Sequence, residues 1–325
     1  MKLVQTLVVR DEADIVGEQI AYHLNAGVDF VIASDHLSED GTTEILEQYA
    51  RDGQLRLIRV QGEMRDGPWR THMARLAATE HGADWVINTD ADEFWMPRGG
   101  TLKDVFAAVP ASVGGIYALS KHFVPRPEDG SPFHERMTVH ASPAVAINDP
   151  TSPFRPHLKV AHRGDPDVTI SFGSHTATSP RWAALHHWHP AEVLHFPYRS
   201  LAQWENKGSR RARGDKPLGQ YVSVLRAKES GRSASRYARF VVDDLELERG
   251  LAAGSLTTDV RLRDALRSLQ AETTPGRAAS SSDASVLLAS EAVRDADIVR
   301  LHRFLDVLAA RLAPLEKRER RASVG

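Results

Sequence analysis

Two carboxylates two positions apart follow an apolar segment. Asp90 and Asp92 come directly after residues 85–89. In an extended chain, residues i and i+2 point the same way, so both side chains can face one divalent cation. Oxygen ligands select Mg²⁺ or Mn²⁺, which keep positions open for phosphate groups. Isolated acidic pairs are commonly solvated turns, but the apolar segment and the flanking Phe94 and Trp95 favour a metal site that binds a diphosphate.

The composition limits the other chemistry. The 325 residues include no cysteine, which excludes thiolate metal sites, disulfides and a cysteine nucleophile. Lys and Arg total 41 against 43 Asp and Glu, a net charge of −2 that argues against a nucleic-acid partner. No apolar run approaches the length of a membrane-spanning helix. We therefore expect a cytoplasmic protein without a transmembrane segment, and peripheral contact with the inner membrane face stays open.

The first 90 residues alternate between strand and helix patterns. Strands are predicted at 3–9, 30–34, 55–60 and 84–89, with helices starting near 15, 42 and 70. Parallel strands joined by helices place ligands beyond their carboxyl ends. Acidic clusters follow three of these strands and should meet at one sheet edge: Asp11 with Glu12, Asp35 with Asp40, and Asp90 with Asp92 and Glu93.

The remaining chain is less regular. Short strands are predicted at 116–119, 137–139, 158–160 and 168–170. Further predictions are a basic loop at 198–219, a linker at 272–284 and an amphipathic helix at 286–312. We divide the chain into a catalytic domain, 1–245, and a helical extension, 246–325. Within the domain, residues 1–110 form a nucleotide-binding half and 111–245 an acceptor half with the basic loop.

Three motifs, in order, resemble family 2-like glycosyltransferases. They are the segments Arg10–Ile15, Asp35–Thr42 and Trp85–Phe94, the last containing the Asp-x-Asp-Glu-Phe pattern, and a weaker similarity follows at His195–Ser200 with Lys207. The resemblance implies a GT-A fold, an α/β architecture with a mostly parallel central sheet and helices on both faces. It also implies a UDP- or GDP-linked sugar donor, a Mn²⁺ or Mg²⁺ ion and inverting transfer to a glycan, lipid or small-molecule acceptor.

The resemblance also implies roles for individual residues. Donor-binding candidates are Arg10, Glu12, Asp35, Asp90, Arg199 and Lys207. The metal candidates are Asp90, Asp92 and His195. The catalytic candidates are Asp92 and three carboxylates of the acceptor half, Glu135, Asp129 and Asp165, none of which is singled out by spacing. A non-catalytic nucleotide- or glycan-binding protein, and a phosphohydrolase with Asp90 as nucleophile, remain as alternatives.

Overall fold

The computed structural model describes residues 1–62, 66–146, 152–186, 188–213 and 219–271. The predicted linker at 272–284 and the helix at 286–312 lie outside the described residues. The strands are β1 Leu3–Val9, β2 Phe30–Asp35, β3 Leu55–Arg59, β4 Trp85–Asp90, β5 Glu93–Pro97, β6 Val113–His122, β7 Val139–Ala141, β8 Leu158–Arg163, β9 Thr169–Ile170, β10 Ala177–Thr178, β11 Ala183–Leu185, β12 Ala191–His195 and β13 Leu256–Thr258. The helices are α1 Val16–Asn25, α2 Thr42–Arg51, α3 Asp66–Thr79, α4 Leu102–Ala107, α5 Phe133–Arg136, α6 Pro143–Ala146, α7 Leu201–Ala212, α8 Gly219–Glu229, α9 Ser233–Tyr237, α10 Asp244–Ala252 and α11 Arg261–Ala271.

The main sheet has nine strands in the described part of the chain. Its order is β3–β2–β1–β4–β8–β6–β12–β5, with β11 beside β6. Strands β1 to β4 pair in parallel, as do β6 and β12, whereas β8 and β5 run antiparallel to their neighbours. This architecture confirms the predicted α/β class with a mostly parallel sheet.

Strand β1 shows why helices cover both faces of the sheet. All seven of its residues are buried, and successive side chains point to opposite faces. Leu3 and Leu7 belong to the large core that includes residues of α1 and α2, whereas Val4 and Val8 pack in the cluster that contains Met73 of α3. A strand buried on both sides is mostly apolar, and its two polar residues, Gln5 and Thr6, form side-chain hydrogen bonds to Thr89 and Asn88 of β4.

Helix α3 and the basic segment are two of the elements that differ from the sequence prediction. Helix α3 begins at Asp66 rather than near residue 70, because Pro68 lies in the first turn, where a proline does not interrupt helical hydrogen bonding. The basic segment predicted as a loop forms helix α7 over most of its length. Ser200 caps this helix by accepting a hydrogen bond from the backbone N–H of Gln203 at 3.1 Å, and the buried face consists largely of small residues, which disguises its periodicity.

The described part of the C-terminal extension packs on the rest of the protein. Strand β13 pairs antiparallel with β7, and Leu262 and Leu266 of α11 enter the large core. The domain boundary at residue 245 stays a prediction. None of the helices in the described ranges combines the length and the apolar character that crossing a bilayer requires.

Candidate active site

A cavity of about 670 Å³ lies at the carboxyl end of the parallel strands. The end of β4 contributes Asp90, and the start of β5 contributes Glu93. In the sheet register, His195 of β12 pairs with Glu93 on one side and with His122 of β6 on the other. The strand order therefore brings residues from positions 90 to 195 to the same wall of the cavity.

Asp92, Glu93 and His195 form an oxygen and nitrogen cluster in this cavity. One ligand atom from each lies within 4.8 Å of the others, and His195 Nε2 is 3.4 Å from Asp92 Oδ1. Asp92 and Glu93 are buried, whereas His195 keeps some contact with solvent. Carboxylates and imidazoles are both ligands of divalent cations, so this donor set fits such an ion.

Asp90 lies in the cavity but outside that cluster. Its carboxylate contacts Arg70 and lies 3.2 Å from Lys159 Nζ. Residues 91 and 92 form a turn between β4 and β5, so the extended geometry assumed from the sequence does not hold. Because of this turn, Glu93 takes the place expected for Asp90 in the cluster, and the Asp90 N–H donates to Glu93 Oε2 at 3.1 Å.

Buried cations compensate the cavity carboxylates. Burial raises the pKa of Asp90, but Arg70 and Lys159 outweigh that effect and hold the pKa well below its usual value. Lys159 Nζ also lies 2.5 Å from Glu93 Oε1. Burial nevertheless keeps the pKa of Glu93 raised, since Lys159 lowers it only in part and Asp90 raises it further.

Lys207 of α7 is the main counter-charge of Asp92. Its ammonium contacts Asp92 and lies 3.2 Å from Glu12 Oε1. Burial raises the pKa of Asp92, but Lys207 and His195 hold it well below the usual range. Burial alone would lower the pKa of Lys207, and Asp92 with Glu12 reverses this and raises it. Lys207 therefore lies in the cavity beside Asp92, and its role toward a diphosphate stays a prediction.

Arg199 and Glu12 lie behind the cavity wall. Arg199 is buried, contacts Glu12, and its Nη2 is 2.8 Å from Asp14 Oδ1. Its Nη1 lies 4.0 Å from Asp92 Oδ2. Neither Arg199 nor Glu12 lines the cavity, so this pair positions Lys207 and Asp92 rather than meeting a ligand there.

The other donor-binding candidates also lie outside the cavity. Asp35 accepts hydrogen bonds from the hydroxyls of Ser38 and Thr43, at 2.5 and 2.6 Å, so its two carboxylate oxygens have partners in the following loop and in the first turn of α2. Arg10 Nη1 lies 3.4 Å from His36 Nδ1. The expected meeting of all the acidic clusters in one cavity is not observed. Asp35 is engaged by residues close to it in the chain, whereas Glu12 is paired with Arg199 and is connected to Asp92 through Lys207.

The three carboxylates proposed from the acceptor half do not reach the cavity. Glu135 is paired with Arg267, exposed Asp129 accepts from Ser131, and buried Asp165 accepts from Ser179 Oγ at 2.5 Å. The structure therefore gives none of them a place beside the cluster. Charge and chain position were the basis of these predictions, and neither specifies distance in space.

Some cavity side chains had no role in the sequence analysis, Arg70 and Asp66 among them. Arg70 and Lys159 hold Asp90, and the single Nε–H of Arg70 is shared by the two carboxylate oxygens of Asp66, each 2.9 Å from Nε. Arg211 donates to the Tyr221 hydroxyl at 2.7 Å. The available signal for Lys159 was its place next to the apolar residues Val160 and Ala161 in β8, because a buried cation needs a partner.

The sequence and structure were compared with known proteins. Residues 4–142, less than half of the chain, match the family model described as glycosyltransferase family 92. This match identifies a glycosyltransferase-type segment, and it contains the Asp90–Glu93 motif but ends before His195 and Lys207. No match was found among proteins of curated function.

Solved structures of TarS from S. aureus are similar at a low level. TarS 1–349 in complex with UDP has 14% sequence identity and a TM-score of 0.33, covering 85% of this chain and 92% of that one. The complex with UDP-GlcNAc has 15% identity and a TM-score of 0.32, with coverages of 72% and 73%. A longer TarS structure also has 15% identity and a TM-score of 0.32. The match covers 71% of this chain and 43% of that longer chain.

Proposed function

We propose that the protein transfers a sugar from a nucleotide-sugar donor, linked to UDP or GDP, to an acceptor hydroxyl. The observation that carries the proposal is the cluster of Asp92, Glu93 and His195, within 4.8 Å of one another in a 670 Å³ cavity. The match of residues 4–142 to a glycosyltransferase family supports the reaction class.

The donor diphosphate would bind next to this cluster. A Mn²⁺ or Mg²⁺ ion held by the three side chains would supply positive charge to the phosphate oxygens. Lys207 and Arg211 also line the cavity and supply fixed cations for the negative charge that develops on the leaving group. Arg70 and Lys159 contact Asp90, and we assign them the role of holding this wall of the site.

The transfer itself would be a single displacement with inversion. The acceptor oxygen forms a bond to the anomeric carbon, the bond from that carbon to the diphosphate oxygen breaks, and a carboxylate takes the acceptor proton. Among the described residues, the carboxylates that line the cavity are Asp66, Asp90, Asp92 and Glu93. In this proposal the base is one of these four carboxylates and not a carboxylate of the acceptor half.

Calorimetry on the full chain tests the proposal. UDP and GDP are titrated separately, first in EDTA and then with Mn²⁺, and we expect one of them to bind with an affinity that depends on the ion. Absence of ion-dependent binding by either nucleotide would refute the proposal. Release of phosphate from an aryl phosphate would instead support the hydrolase alternative, and nucleotide binding without any donor turnover would support the binding protein.

A further inference from the structure

The cavity contains more cationic than anionic side chains. Seven Lys and Arg residues line it against four Asp and Glu residues. Arg70, Lys159 and Lys207 lie at ion-pair distance from these carboxylates. The positive excess therefore lies in the remaining arginines: Arg155 precedes β8, Arg211 belongs to α7, Arg236 belongs to α9, and Arg239 follows α9.

Three of these arginines form what we call the arginine cluster: Arg155, Arg236 and Arg239. Arg155 precedes β8, and its buried Nε has no hydrogen-bond partner among the described residues. Arg236 of α9 donates to Ser223 Oγ at 2.6 Å, a neutral partner. Arg239 is exposed. Within the described ranges, none of the three forms an ion pair with a carboxylate.

Aromatic side chains also line the cavity. The rings of Tyr198 and Phe240 have centroids 5.1 Å apart, and both side chains are partly exposed. Partly exposed rings offer flat apolar surfaces beside polar groups. A sugar that carries a charged substituent matches this combination of rings and guanidinium groups.

We infer that the arginine cluster binds an anionic group, a phosphate or a carboxylate, on the acceptor. The inference rests on the proposed function, in which Lys207, Arg211 and a divalent cation serve the donor diphosphate. Arginine presents a planar set of donors that matches both phosphate and carboxylate oxygens. An acceptor with such a group would accept a hydrogen bond from Arg155 Nε. Its negative charge would balance the cationic side chains that the donor diphosphate does not contact.

The test uses the full-length protein with saturating UDP and Mn²⁺. Glucose 6-phosphate, glucuronate and glucose are titrated as probes by calorimetry. We expect at least one anionic sugar to bind about tenfold or more tightly than glucose, the effect of a charge-assisted hydrogen bond. The double variant Arg236→Gln/Arg239→Gln should lose this preference and retain its UDP affinity. Its melting temperature reports whether it folds.

Arg226→Gln is the matched control, since Arg226 is an exposed arginine of α8 that does not line the cavity. It should leave the preference for anionic sugars unchanged.

Equal binding of all three sugars would overturn the inference, as would a double variant that loses UDP affinity, because the arginines would then serve the donor. If neither UDP nor GDP binds, the proposed function fails. Anionic-sugar binding is therefore also measured without nucleotide, where its loss in the double variant still supports the anion site.

Discussion

Replacing Asp92 by Asn tests the central geometry of the site. The substitution preserves the size of the side chain and removes its charge. Asp92 is buried, contacts Lys207, and lies 3.4 Å from His195 Nε2. The variant therefore loses one of the three candidate metal ligands and leaves Lys207 with Glu12 as its remaining counter-charge at 3.2 Å.

The structure sets the size of two separate effects. Loss of one carboxylate ligand should weaken Mn²⁺-dependent UDP binding by at least about 100-fold, close to 3 kcal/mol. Removing one partner of a fully buried ion pair typically costs about 3–5 kcal/mol of stability. Here the cost should be lower, about 1–3 kcal/mol, because Lys207 retains Glu12 and its side chain is 21% exposed.

Two measurements separate these effects. Calorimetry with UDP and Mn²⁺ reports the binding loss, and urea unfolding in EDTA reports stability without the ion. Asp129→Asn is the control, since Asp129 is an exposed carboxylate outside the cavity, and it should change neither quantity measurably. Metal-dependent UDP binding by Asp92→Asn at the level of the native protein would refute the assignment of the metal site.

Two further predictions concern the scaffold. Burial lowers the pKa of His23 to about 4, and the neutral ring accepts the Trp95 N–H through Nε2 at 3.0 Å. The contribution of neutral His23 to the free energy of unfolding should therefore be complete above pH 6.5. It should fall by up to about 3 kcal/mol as the pH approaches 4. Urea unfolding should show this pH-dependent component in the native protein and not in His23→Gln, and an equal stability difference between the two at pH 7.5 and pH 5 would contradict it. A Cβ at Gly208 would lie 2.5 Å from Val224 Cγ1, so Gly208→Ala should destabilise the contact between α7 and α8 by about 1–2 kcal/mol despite its better helix propensity. Val224→Ala in the same chain should recover part of that loss, and an unchanged urea midpoint for Gly208→Ala alone would show that the helices separate freely.

The alternating strands and helices near the N-terminus were predictable because their signals are local. The apolar segments of β1 and β4 and the glycines that follow the first helices require only neighbouring residues for their interpretation. The segment around α7 was harder to predict. Its buried face has Trp204 followed by Gly208 and Ala212, and small residues give a weak apolar pattern in an otherwise basic sequence.

The candidate site shows a similar division. The sequence by itself singled out Asp90 and Asp92 as candidates, because the spacing of carboxylates after an apolar strand is a local pattern, and the family resemblance added His195. Folding decided which side chains meet: a two-residue turn places Glu93 in the cluster, and Lys159 and Lys207 approach from 66 or more positions further along the chain. Ionic interactions depend on distance through space and on burial. The distance between two side chains and their burial cannot be read from the order of residues, because both are set only when the sheet assembles.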